Sequence, residues 1–108
     1  MSIPNPIPGE VLSVRPLGAD LAATKTAALL KTDTLQVMRL VLPAGKEIAP
    51  HRSSGEATVH CLEGRVAFTR GETVHELTAG DLLYLAAGET HALRGVEDAS
   101  LLVTRLLR

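Results

Sequence analysis

Aromatic residues are nearly absent. The 108 residues include one Phe (Phe68), one Tyr (Tyr84) and no Trp. There is thus no stacking platform for single-stranded nucleic acid, and the core must be built from Leu, Val, Ala and Ile. An excess of one charge is missing too: 11 basic and 12 acidic residues, interspersed, give a formal charge of −1. Without a basic stripe, nucleic acid is excluded as an electrostatic partner. Cys61 is the only cysteine, so an internal disulfide and a cysteine zinc site both drop out. Between apolar neighbours in VHCLEG it reads as a buried, inert thiol. The longest apolar run, Leu82 to Ala87, is far short of a membrane span, so no membrane partner is expected. The opening MSIPNPIPGE has neither a basic start nor an apolar h-region, which predicts a cytoplasmic protein. No G-x-G-x-x-G, P-loop, G-x-S-x-G or H-E-x-x-H occurs.

What is present is a succession of short β-like runs. Hydrophobic residues make up 45% of the chain, and the length suits one domain over 1–108 with one modest core. Residues 1–20 read as an extended, proline-rich arm with an edge strand at Val11 to Arg15; residues 24–107 read as the barrel. Within the latter, strands are predicted at Thr24 to Lys31 (with a helical turn as the alternative over Leu21 to Ala28) and at Leu35 to Leu42. Further strands follow at Lys46 to His51, Glu56 to Leu62, Arg65 to Arg70 and Thr73 to Leu77. Leu82 to Ala86, His91 to Arg94 and Ser100 to Leu107 complete the set. Between them stand turn signals such as Glu63-Gly64, Gly71-Glu72 and Glu97-Asp98. This spacing indicates an all-β sandwich or barrel. Leu35 to Leu42 is largely apolar on both faces, so one face covers the core and the other meets a covering arm or a second subunit. Cover for such faces predicts a homodimer.

Two segments carry the candidate chemistry. Pro43 to Gly64 and Ala79 to Gly95 each contain a glycine, a β-like run and a lone histidine, so His51 and His91 can converge inside one barrel although they lie forty positions apart. Two neutral imidazoles with one further donor leave open coordination positions for substrate or oxygen. His60 and Glu56 are the candidates for that donor. Alternation over Glu56 to Leu62 puts Ala57, Val59 and Cys61 on one face and His60 on the other, whereas a bulge near Gly55 turns His60 inward beside His51. His75 reads as a solvated strand residue. Arg39, among apolar neighbours, needs a partner if buried; it is an interface ion-pair member or a pocket cation. Glu89 is a surface carboxylate or an orienting group for His91. No residue stands out as a general base.

At Gly45 to Gly64 and Gly80 to His91 the chain resembles the small single-domain bacterial cupins. Gly45, His51 and Gly64 match the first motif of that family, with Ser53 in place of its second histidine and Ala57 in place of its glutamate. Gly80, Gly88 and His91 match the second motif, with Ala86 in place of its proline. The resemblance implies an all-β fold, a cupin-type double-sheet antiparallel β-barrel (jelly-roll), commonly dimeric. It also implies a divalent metal (Fe, Mn, Ni or Zn) on His51 and His91, with a small organic ligand in the barrel; the family register keeps His60 outward, and the bulge reading alone makes it the third metal ligand. Oxygenation or isomerisation is the implied reaction class; a metal-free ligand-binding or sensing cupin is the alternative.

Overall fold

A computed structural model describes residues 5–107. A 3-10 turn, Gly18–Ala23, precedes seven strands: β1 (Ala27–Lys31), β2 (Leu35–Leu42), β3 (Glu47–Arg52), β4 (Ala57–Arg70), β5 (Thr73–Thr78), β6 (Leu82–Leu85) and β7 (Thr90–Leu106). All pairings are antiparallel. The long strands β4 and β7 pair along most of their length, and each belongs to two sheets. The first half of β4 and the second half of β7 lie with β6, β2 and β1. The other halves lie with β5 and β3. The result is the double-sheet jelly-roll barrel that the turn spacing and the resemblance lead one to expect.

Two predicted turns are crossings instead. Glu63-Gly64 and Glu97-Asp98 do not end strands; they are where β4 and β7 bend from one sheet into the other. Register slips there between Cys61 and Glu63, Glu63 and Arg65, and Arg65 and Val66. Bulges make such corners by leaving a residue unpaired and increasing local twist. Gly64 has φ +80°, and a Cβ at that position would run into the Asp98 carbonyl oxygen and come within 2.7 Å of Ala99 Cα.

β2 shows how interior and exterior separate. Gln36, Met38, Leu40 and Leu42 face inward, opposite Arg105, Val103, Leu101 and Ala99 of β7. The outer face is covered by the chain's own N-terminal segment: Leu21 and Val41 are buried, and Val41 donates its amide proton to Thr26 Oγ1 at 2.9 Å. Arg39, buried on this face, donates from Nη1 to the carbonyl of Arg15 at 2.8 Å. It is a tether for the arm, and it does not line the barrel cavity. Val11 to Arg15 does not form the edge strand expected of it: among the described residues no strand precedes Ala27, and the segment lies largely exposed, Val11 at 92%. β1 begins at Ala27, three residues later than predicted, because Thr24 turns its hydroxyl back onto the Asp20 carbonyl (2.7 Å) and closes the 3-10 turn.

The core gathers Leu42, Val59, Cys61, Val66, Phe68, Leu77, Leu85, Leu93 and Leu101 from both sheets. Cys61 is fully buried, and its thiol lies within reach of the carbonyls of Glu63, Gly64 and Leu77. Burial, with the nearby Asp81 and Glu63 carboxylates adding to it, pushes the thiol above its ordinary value despite the Glu63 carbonyl. Only the thiolate attacks disulfides, so native protein should leave an aromatic disulfide reagent uncut at pH 8, and urea-unfolded protein should react with about one equivalent. Rapid reaction of the native state would show that the barrel opens there.

Candidate functional site

The barrel encloses one cavity of about 250 Å³ with His51, Ser53, Ala57 and His91 in its wall. These are the four positions at which the sequence motifs place ligands. β3 shows why His51 gets there. Pro50 has no amide proton to give to a ladder, and β3 pairs with β7 alone, an edge position that tolerates proline. Register slips between Ile48 and His51. Strict alternation would send residues three apart to opposite faces, but both Ile48 and His51 line the cavity. His91 then pairs with His51 directly. The two imidazoles converge as cross-strand neighbours, with ring centroids 4.2 Å apart and planes tilted by 60°. They do not face each other from opposite walls.

On its other side His91 meets Phe68, which is fully buried; the rings are parallel to within 5° at 5.6 Å. His91 is itself buried, and His51 sits exposed at the mouth. Burial lowers the pKa of His91, the His51 ring beside it adds to this, and the Glu89 carbonyl and charge oppose it. The ring is therefore neutral at physiological pH. Its Nδ1 lies 3.0 Å from the Glu89 carbonyl oxygen, and that of His51 lies 3.1 Å from the carbonyl of Ala49. A carbonyl only accepts, so Nδ1 carries a proton in both rings, and in neutral His91 Nε2 keeps its lone pair. Glu89 thus orients His91 through its main chain. Its carboxylate is engaged elsewhere, accepting from Arg70 Nε at 2.6 Å and from the Ala86 amide at 2.8 Å, which holds it below the ordinary carboxylate value.

His60 is not brought to this site. On β4 the buried residues Ala57, Val59 and Cys61 alternate with half-exposed Thr58, His60 and Leu62. His60, paired with Leu102, stays on the outer face because no bulge interrupts β4 before Cys61. Glu56 is also outside the cavity wall. Its carboxylate accepts from the hydroxyl of Tyr84 at 2.6 Å, and Tyr84 is exposed.

Arg105 was not singled out in the sequence, yet it lines the cavity. It is the third member of the inward series Leu101, Val103, Arg105 on β7, opposite Cys61, Val59 and Ala57 of β4. That alternation was readable, but a basic residue near the end of an apolar run suggests a solvated edge.

For a metal, half of the donor set is built. Two Nε2 lone pairs held by carbonyl-bound Nδ1 protons suit a divalent ion. Ser53 and Ala57 supply neither imidazole nor carboxylate, no Asp or Glu lines the cavity, and a guanidinium does. Among the described residues no group of three or more His, Cys, Asp or Glu is gathered. This set does not fit a firmly held resident ion.

The fold and site define a small jelly-roll barrel with one ligand-sized mouth marked by paired histidines. The chain belongs to the cupin family, whose "Cupin domain" pattern matches residues 38–105. Among solved structures it is similar to the conserved SPY1581 protein of unknown function from Streptococcus pyogenes (26% identity, 100% of this chain and 96% of that one, TM-score 0.76). It also resembles the cupin superfamily protein DSY2733 from Desulfitobacterium hafniense DCB-2 (20%, 91% and 95%, 0.76). A third likeness is to an RmlC-like cupin from Desulfovibrio desulfuricans (23%, 91% and 98%, 0.75). No curated protein matches. No helix among the described residues is long and apolar enough to cross a membrane.

Proposed function

We propose that the protein binds a small organic molecule in the barrel cavity without a resident metal, as a ligand-binding or sensing cupin. The observation that carries this reading is the makeup of the cavity wall: Met38, Leu40, Ile48, Phe68, Leu85 and Val103 make it largely apolar, with His51, Ser53, His91 and Arg105 as its few polar groups. A concave apolar site with few convergent polar groups is the usual form of a small-molecule site. At about 250 Å³ it falls below the roughly 300–1,000 Å³ of sites for drug-sized ligands, so the ligand is a small one.

A divalent metal on His51 and His91, supporting oxygenation or isomerisation, is the second reading. The two available Nε2 atoms favour it. Thermal shift on protein purified without a histidine tag separates the two, because a ligand of the folded state stabilises by mass action, about 2.7 kcal/mol at one hundred times its Kd. After chelator treatment, Fe(II), Mn(II), Ni(II) or Zn(II) should move the melting temperature by less than about 1 °C, and small organic ligands should move it by several degrees. A metal-dependent shift abolished by His51→Ala or His91→Ala would replace the first reading by the second.

A further inference from the structure

Among the described residues, one charged group in the cavity makes no ion pair, although Glu56, bonded to Tyr84, shares a neighbouring surface groove with it. Arg105 lines the wall, and that wall contains no aspartate or glutamate. None of the ion pairs among the described residues includes Arg105. Its Nε donates to Gln36 Oε1 at 2.6 Å, and Gln36 is itself buried, only 8% exposed. The contact fixes the guanidinium plane while leaving the charge uncompensated, since an amide oxygen carries none. Arg105 is half-buried, and a ligand seated among Met38, Val103 and Leu85 would desolvate its charge further, which is costly unless the ligand brings an anion. Resting on the small-molecule reading above, we infer that Arg105, oriented by Gln36, is the anchor for a carboxylate, and that the ligand is a small organic monoacid with an apolar body.

The chemistry of the wall limits the ligand further. A guanidinium held at Nε can still present its Nη donors to both oxygens of a carboxylate, in the two-pronged geometry that lysine cannot supply. His91 adds no positive charge, because burial keeps its ring neutral. The single guanidinium of the wall matches one negative group, and a diacid would leave its second charge against aliphatic side chains. Ser53, whose hydroxyl reaches the Gly55 carbonyl at 3.2 Å, and Ala57 leave space where a metal-binding cupin would place an imidazole and a carboxylate. In particular, a glutamate at position 57 would stand opposite Arg105, its β7 partner, and would neutralise it.

The test uses matched pairs of acids and their uncharged amides: benzoate with benzamide, isovalerate with isovaleramide, and hexanoate with hexanamide, each titrated against the intact protein by thermal shift and calorimetry. The acids should bind about 10- to 100-fold more tightly than their amides, the range for hydrogen bonds to a charged group. Arg105→Met should erase that preference. Should Arg105→Met fold poorly, Gln36→Glu provides the second arm. It places a carboxylate where the amide oxygen now meets Nε, and should raise the melting temperature while removing the acid preference. Acid and amide binding alike, unchanged in either variant, would overturn the carboxylate anchor and leave small-molecule binding standing. Binding of neither member of any pair at 20 mM would overturn both.

Discussion

Gly64→Ala is expected to lower the stability of the barrel by about 2–5 kcal/mol. The sum has two parts. At φ +80° an L-residue carries a left-handed penalty of about 1–2 kcal/mol. The new methyl would also run into the main chain of β7, at the Asp98 oxygen and at Ala99 Cα 2.7 Å away, and forced overpacking adds about 1–3 kcal/mol. Neither neighbour can yield cheaply. Ala99 is fully buried, and Asp98 accepts the amide proton of Ala44 on Oδ1 at 2.8 Å. Against the 5–15 kcal/mol that holds a typical domain, a loss of this size shifts the melting temperature by roughly 8–40 °C, at 4–8 °C per kcal/mol. Thermal denaturation of the two proteins checks it. A loss below 1 kcal/mol would mean that the two sheets are not locked together at this corner. Gly71, also at positive φ but with open space around its missing Cβ, is the control: Gly71→Ala should show the conformational penalty alone.

The same glycine shows where sequence reading stopped. Glu63-Gly64 and Glu97-Asp98 have the residue types of turns, and each was read as ending a strand. A glycine with a polar neighbour meets the needs of a tight turn and of a bulge equally well, because both require relaxed sterics and an unpaired main-chain group. Which of the two forms depends on the partner strand, and the partner of Gly64 lies some thirty-five residues away in sequence. Local pattern was sufficient for β2, where the division into Gln36, Met38, Leu40, Leu42 and Leu35, Val37, Arg39, Val41 matches the observed faces, and for the glycine-histidine spacing that brings His51 and His91 to one cavity. Alternation alone also placed His60 outside; only an invoked bulge brought it in. The irregularity that occurs beside the cavity, at Pro50, moves His51 instead. Arg105 and the orienting carbonyls of Ala49 and Glu89 were hidden for another reason. A main-chain acceptor has no residue type to read, and the charge of Arg105 matters only once the cavity wall around it is known.

A second large effect is expected from Glu63, which by residue type reads as half of a turn. Its carboxylate accepts the amide protons of Leu17 at 2.7 Å and Gly18 at 2.9 Å, and a short hydrogen bond from the fully buried hydroxyl of Ser100. One side chain on β4 thus fastens the entrance of the 3-10 turn to the sheet, beside the Arg39 guanidinium that holds the Arg15 carbonyl. Glu63→Ala strips two main-chain donors and a buried hydroxyl of their acceptor and should cost about 2–4 kcal/mol, given 1–3 kcal/mol for each group left unsatisfied and some recovery by water. It should also free the covering segment, which removes shelter from Arg39 and Val41. The pH dependence has a definite sign. Burial on its own would raise the carboxyl pKa, but the Leu17 amide, the Ser100 hydroxyl, the Gly18 amide and the Arg39 charge together take it below its ordinary 4.5. A group depressed in the folded state contributes its full stability above the unfolded value and loses it as pH falls through the folded one. The gap in melting temperature between native protein and Glu63→Ala should therefore be widest near neutrality and shrink below about pH 4.5, while limited proteolysis cuts the 5–23 segment of the variant first. An equal gap at pH 7 and pH 3 would show that the carboxylate charge has no part in the latch. Uniform resistance of both proteins to the protease would show that the segment is held by its apolar contacts through Leu21 alone.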